Sequence, residues 1–202
     1  MTLSVYQLKP QFQRLLRPLV QALAHARVTP NQLTVATAAL MVLYGVALAL
    51  WPGTRGLWIG LVALMPLRMA LNALDGLLAQ HTGRKTRLGA MLNEICDVVA
   101  DLALYLPVAL IPGVWPVLAV LAACGAAVVE QTGLAALAAG SARRFDGPMG
   151  KSDRAVAYAL IGLLAGCDAP AAWITGVLGL VAVLLAWTLV NRLRAGAAPP
   201  TP

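Results

Sequence analysis

Apolar residues run in long blocks along this chain instead of in the one-sided stripes of a soluble helix bundle. Six runs stand out, at about Leu33 to Trp51, Leu57 to Ala79, Leu88 to Ile111, Val114 to Ala139, Ala155 to Gly166 and Ala171 to Val190. A helix needs about 20 residues to cross a bilayer, and five of the runs reach that length. The fifth holds 12 residues before Cys167-Asp168-Ala169-Pro170. Its helix must either begin near Lys151, with charged heads snorkelling, or stop short of the far surface. Upstream, Leu8, Phe12, Leu15, Leu16, Leu19 and Leu23 recur at helical spacing, with Gln13, Arg14, Arg17 and Gln21 on the other side. This amphipathic segment reads either as a helix lying on the membrane surface or as an arm packed on its own domain. The pattern predicts an all-α integral membrane protein of six transmembrane helices preceded by an N-terminal amphipathic surface helix. The expected divisions are 1–28 for the amphipathic segment, 29–194 for the six-helix domain and 195–202 for a disordered Ala/Pro-rich tail.

Composition agrees. The 202 residues are 60% hydrophobic and 11% charged, against roughly 45–50% and 25% in soluble domains, so a water-covered surface is excluded. The net charge of +7 gains its meaning from position. With the N-terminus inside, 13 of the 15 bases fall on the cytoplasmic side, leaving Arg55 outside and Arg68 within the second span. That is the positive-inside asymmetry, which places both termini in the cytoplasm and makes nucleic acid an unnecessary partner. Cys96, Cys124 and Cys167 are odd in number, imply no disulfide framework, and read as small packing residues. Trp51, Trp58 and Trp115 read as anchors at the outer interface.

Ions inside a bilayer are costly and mark function. Four of the eight acids, Asp75, Glu94, Asp97 and Asp101, fall within 27 residues around the cytoplasmic ends of the second and third spans. Arg68, Asn72, Asp75 and Ala79 share one helical face; Asn93, Asp97 and Asp101 follow at i, i+4 and i+8 on the next. Facing one another, they make an oxygen-rich pocket suited to a hard divalent cation such as Mg2+ or Mn2+. Gly76, Ala79 and Gly89 leave room for a ligand to approach the backbone.

The order is more specific than the composition. Asn72-x-x-Asp75-Gly76-x-x-Ala79-Gln80, eight residues, then Gly89-x-x-x-Asn93-x-x-x-Asp97 resembles the CDP-alcohol phosphatidyltransferase signature, DxxDGxxAR followed by GxxxDxxxD. Thr29-Pro30-Asn31-Gln32-Leu33-Thr34 is similar to that family's PNxLT segment, and Gly150-Lys151 to its basic GK segment. The resemblance implies transfer of a phosphatidyl or related phosphoalcohol group from a CDP-linked lipid to an alcohol acceptor, with release of CMP. It further implies a homodimer in a bacterial inner membrane. It implies Mg2+ or Mn2+ held at Asn72, Asp75, Asn93 and Asp97, and Asp97 as the base. Asn31, Thr34, Gly76, Ala79 and Gly89 would meet the nucleotide, and Lys151 with Arg154 a phosphate or the acceptor. Two signature acids are here Asn72 and Asn93, and its Arg is Gln80. An amide offers a carbonyl oxygen without charge, so an inactive relative binding nucleotide or lipid stays open beside a variant active site. Glu94, Asp101 or Glu130 would be the auxiliary carboxylates, with Glu130 otherwise paired to Arg68. Arg143 and Arg144 read as positive-inside residues. The rival from another class is a small transporter conducting protons or cations through its acids; the lack of repeated halves speaks against it.

Overall fold

The structure, a computed structural model, describes the backbone of residues 8–198 and the side chains of residues 14–198. Among the described residues there are seven α-helices and no strand: α1 (Leu8–His25), α2 (Pro30–Leu50), α3 (Arg55–His81), α4 (Arg87–Tyr105), α5 (Pro116–Ala138), α6 (Lys151–Gly166) and α7 (Ala171–Ala197). The side chains of Leu8 and Phe12, and tail residues 199–202, lie outside the described residues.

Local chemistry sets the helix ends. At the start of α2, Thr29 accepts from the Gln32 amide at 3.2 Å, and Gln32 accepts from the Thr29 amide at 2.9 Å. Pro30 fills the first helical position, where no N–H is needed. Pro107 limits α4: the expected run to Ile111 is α-helical only to Tyr105, and Leu106–Leu110 tighten into a 3-10 turn because proline cannot supply the i→i−4 bond. At the other end of the chain α7 continues to Ala197, so the tail expected from residue 195 is helical for three further residues; alanine and glycine there carry no proline until residue 199.

Four helices, α2, α3, α5 and α7, are long and apolar enough to cross a membrane. The third run misses that standard because Glu94, Asp97 and Asp101 lie within it. The fifth misses it because α6 has 16 residues, beginning at Lys151. The two are clamped to longer neighbours, α4 to α2 and α6 to α3. Small residues permit the close approach. A Cβ on Gly162 would fall 2.5 Å from the Trp58 carbonyl oxygen and 2.7 Å from Leu61 Cβ, so α6 rides directly on α3.

Large apolar side chains such as Leu43, Leu121 and Val183 point outward while Ala119, Ala122 and Ala123 fill the centre, the arrangement expected where lipid is the solvent. Trp51 and Trp115 are exposed, but Trp58 is buried and donates from Nε1 to the Pro52 carbonyl at 2.7 Å. It is a core residue, not an interface anchor. Cys124 and Cys167 are exposed, which corrects the packing role expected of them. Helix α1 rests on α3, with Leu16 and Val20 buried against Leu74 and Leu78. The same helix leaves Leu15 and Leu19 exposed. One edge of α1 is thus packed on α3, and another, with Leu15 and Leu19, is left open.

Candidate functional site

The last three turns of α3, the first two turns of α2 and the first half of α4 meet around one cavity. Asn31, Thr34, Asn72, Asp75, Gly76, Ala79, Gly89 and Asn93 all line it, with a volume of about 340 Å³. Eight residues expected from sequence to meet nucleotide or metal are thus brought together. Asp75 is 7% exposed, and Thr34 Oγ1 donates to its Oδ2 at 2.8 Å. A Cβ on Gly76 would meet nothing within 4 Å. That glycine opens the cavity floor to a ligand. Gly89 has a different reason: a Cβ there would fall 2.7 Å from Asn31 Oδ1 and 3.0 Å from Thr86 Oγ1. Its smallness makes room for Asn31 and for the cap of α4, where Thr86 Oγ1 accepts from the Gly89 amide at 2.9 Å.

Arg84, Lys85 and Thr86 also line this cavity. In the sequence Arg84 and Lys85 count only among the cytoplasmic bases, although their place between the two motif halves brings them close to the cavity.

Asp97 faces a second cavity of about 370 Å³, lined also by Glu130, Arg143, Phe145, Lys151 and Arg192. Its Oδ1 accepts from Asn72 Nδ2 at 2.8 Å, and its Oδ2 pairs with Lys151. Arg68 donates to the Asp97 backbone carbonyl at 3.0 Å and pairs with Asp101. The two cavities meet at the Asn72–Asp97 bond.

Beneath the second cavity runs a chain of buried ion pairs. Arg154 is fully buried and donates to Asp101 Oδ2 at 3.2 Å and to Glu130 Oε1 at 2.7 Å. Its expected place at a phosphate is corrected accordingly: the two carboxylates already hold its guanidinium in a dry core, where an unpaired charge would be costly. Glu130 pairs with Arg154, not Arg68, and lies 3.9 Å from both Arg143 and Arg192. Glu94 is held by both terminal nitrogens of Arg143, whose guanidinium also stacks 5.0 Å above the Phe145 ring. Arg143 is therefore part of the site wall. None of Glu94, Asp101 and Glu130 lines the first cavity, so they do not replace the carboxylates that Asn72 and Asn93 withdraw.

Among the described residues no three His, Cys, Asp and Glu side chains cluster as a metal site. The first cavity nevertheless offers one buried carboxylate, Asp75, and three side-chain amides, Asn31, Asn72 and Asn93. These are oxygen donors of the kind a hard cation takes, at the low charge of a weak site.

A family model described as CDP-alcohol phosphatidyltransferase matches residues 27–196. Inner membrane protein YnbA of Escherichia coli (strain K12) is 40% identical over 193 residues, 95% of this chain and 96% of that protein. Phosphatidylinositol phosphate synthase of Corynebacterium glutamicum is 37% identical over 103 residues, 51% of this chain and 45% of that protein. The crystal structure of Mycobacterium tuberculosis phosphatidylinositol phosphate synthase with CDP-DAG bound superposes with a TM-score of 0.76 at 22% identity, covering 93% of this chain and 96% of that one. The same mycobacterial enzyme in complex with manganese and citrate also has a TM-score of 0.76, over 91% of this chain and 89% of that one. At this identity the likeness is one of fold.

Proposed function

The chain belongs to the CDP-alcohol phosphatidyltransferase family, and from that premise we propose that it moves a phosphatidyl or related phosphoalcohol group from a CDP-linked lipid, such as CDP-diacylglycerol, to an alcohol acceptor, releasing CMP. The observation that carries the reading is the pair of cavities meeting at the Asn72–Asp97 hydrogen bond, one lined by signature residues and one where Arg143, Lys151 and Arg192 face Asp97, Glu130 and Asp153. The first takes the CDP group, with Asn31, Thr34, Gly76 and Ala79 around the nucleotide and Arg84 and Lys85 above it. Asp75 and the amide oxygens of Asn72 and Asn93 are the residues that would hold Mg2+ or Mn2+. A divalent cation there neutralises charge on the pyrophosphate.

The second cavity takes the acceptor. Its cations, Lys151, Arg143 and Arg192, suit an alcohol that itself carries a phosphate. In the transfer the acceptor oxygen forms a bond to the lipid-side phosphorus. The bond from that phosphorus to the CMP oxygen breaks, and the hydroxyl proton passes to an Asp97 carboxylate oxygen. Residues 29–194 form the transferase domain, with α4 and α6 completing six spans. The amphipathic α1 lies against the cytoplasmic surface of a bacterial inner membrane, both termini are cytoplasmic, and the chain pairs as a homodimer. YnbA, matched over 95% of this chain, is an inner membrane protein, which supports that placement.

The test is CMP release by the purified chain from CDP-diacylglycerol with Mg2+ or Mn2+, over a panel of plain and phosphorylated alcohols. The expected result is release that depends on both cation and acceptor, strongest with a phosphorylated alcohol. Nucleotide binding without release under every condition would point instead to an inactive relative.

A further inference from the structure

Both carboxylate oxygens of Asp97 are engaged by side chains of this chain. Asn72 Nδ2 donates to Oδ1 at 2.8 Å, and Lys151 Nζ pairs with Oδ2. An amide nitrogen turned to Asp97 leaves the amide oxygen as the atom Asn72 can offer elsewhere. The cavities divide the signature in the same way: Asn72, Asp75 and Asn93 line the first and Asp97 does not, while Asp97 and Lys151 line the second.

Charge points in the same direction. Lys151 pairs with Asp97 Oδ2 and the Arg68 guanidinium lies 3.9 Å from Oδ1, so a second divalent cation on this carboxylate would meet two cations already beside it. Lys151 is also fixed in place. It is the first residue of α6, and the preceding turn is tied by the Gly150 amide donating to Asp153 Oδ2 at 2.9 Å.

Resting on the transferase reading above, we propose that Lys151 and Asn72 hold Asp97 in place of a second divalent cation, so that this chain works with one exchangeable cation in the first cavity and one built-in ammonium at the second. Lys151 thereby positions Asp97 and supplies charge that does not depend on free metal. Asn72 and Lys151 form a matched pair: the amide removes a negative charge and the ammonium adds a positive one at the same carboxylate.

The test counts Mn2+ bound per full-length chain in nanodiscs by electron paramagnetic resonance, without substrate. Wild type should hold one Mn2+, and the double variant Asn72→Asp with Lys151→Met should hold two. Lys151→Met alone should slow CMP release about tenfold or more, and adding Asn72→Asp at high Mn2+ should restore most of it. A lysine that only braces the fold would show no such rescue. A wild-type count other than one overturns the proposal, and so does a count of one in a monodisperse double variant. Should the double variant not stay monodisperse, the wild-type count decides alone. A count of one with no CMP release from any acceptor would remove the transferase reading and leave the Mn2+ assignment standing.

Discussion

The two cavities flanking Asp97 are built by different means. The nucleotide side draws on three consecutive helices, through residues spaced by helical turns and helix caps: Asn31 and Thr34 after a capping box, Asn72, Asp75, Gly76 and Ala79 down α3, and Gly89 and Asn93 up α4. It holds one buried carboxylate. The other side draws on α4 to α7, sets Arg143, Lys151 and Arg192 against Asp97, Glu130 and Asp153, and lies over a network in which Arg68, Asp101, Arg154, Glu130, Arg143 and Glu94 neutralise one another. One side is kept open for a ligand by small residues. The other is held rigid by charge, and a rigid wall is what an acceptor hydroxyl needs to stay in line with phosphorus.

The largest expected effect falls on the residue between them. Asp97→Asn should lower CMP release by about 10²–10⁴-fold, the range for loss of a general base, while the chain still inserts and elutes as a folded species. Retained turnover would separate the proton transfer from this junction altogether. Next comes the network: Arg154→Ala leaves Asp101 and Glu130 buried without their shared partner, which should cost about 3–5 kcal/mol. A thermal melt in detergent checks this, and an unchanged midpoint would show that the basic wall does not depend on Arg154. Two smaller changes address the sides separately. Gly76→Val fills open space on the nucleotide side and should raise KM for the CDP-lipid about tenfold with KM for the acceptor unchanged. Arg143→Gln should do the reverse, raising acceptor KM about tenfold and leaving the donor alone. If both variants moved the same KM, the two cavities would be one site.

The same contrast governs how much could be read from sequence. Periodicity reports which residues share a helical face, and a short connection places neighbouring faces together, so the α3 and α4 walls of the first cavity were legible, while Asn31 and Thr34 came only with the family resemblance. Arg154 was not. Its partners lie 53 and 24 positions away on α4 and α5, and their heights relative to α6 depend on how far Gly162 lets that helix settle against Trp58 and Leu61. Its place three residues after Lys151, on nearly the same helical face, drew Arg154 toward the phosphate, whereas one turn further along α6 it sits in the core between Asp101 and Glu130. Glu130 was seen to need a partner, but the choice between Arg68 and Arg154 is a matter of helix register, which hydropathy does not encode. Arg143 could be counted as a loop charge but not placed, because nothing along the chain ties it to Glu94, 49 positions earlier.

The shortness of α6 has a consequence for the membrane itself. Its 16 residues rise about 24 Å, and hydrocarbon cores are about 30 Å thick. α3 and α7 have 27 residues each and have no such deficit. Lys151 ties the first residue of α6 to Asp97, and beyond the other end of α6 the Arg55–Asp168 ion pair sits exposed. On the six-span reading proposed above, lipids on that flank would have to thin to follow the helix, at a cost that grows with acyl-chain length. Bilayer elasticity would then pull on α6 along its axis, and the load would arrive at Lys151.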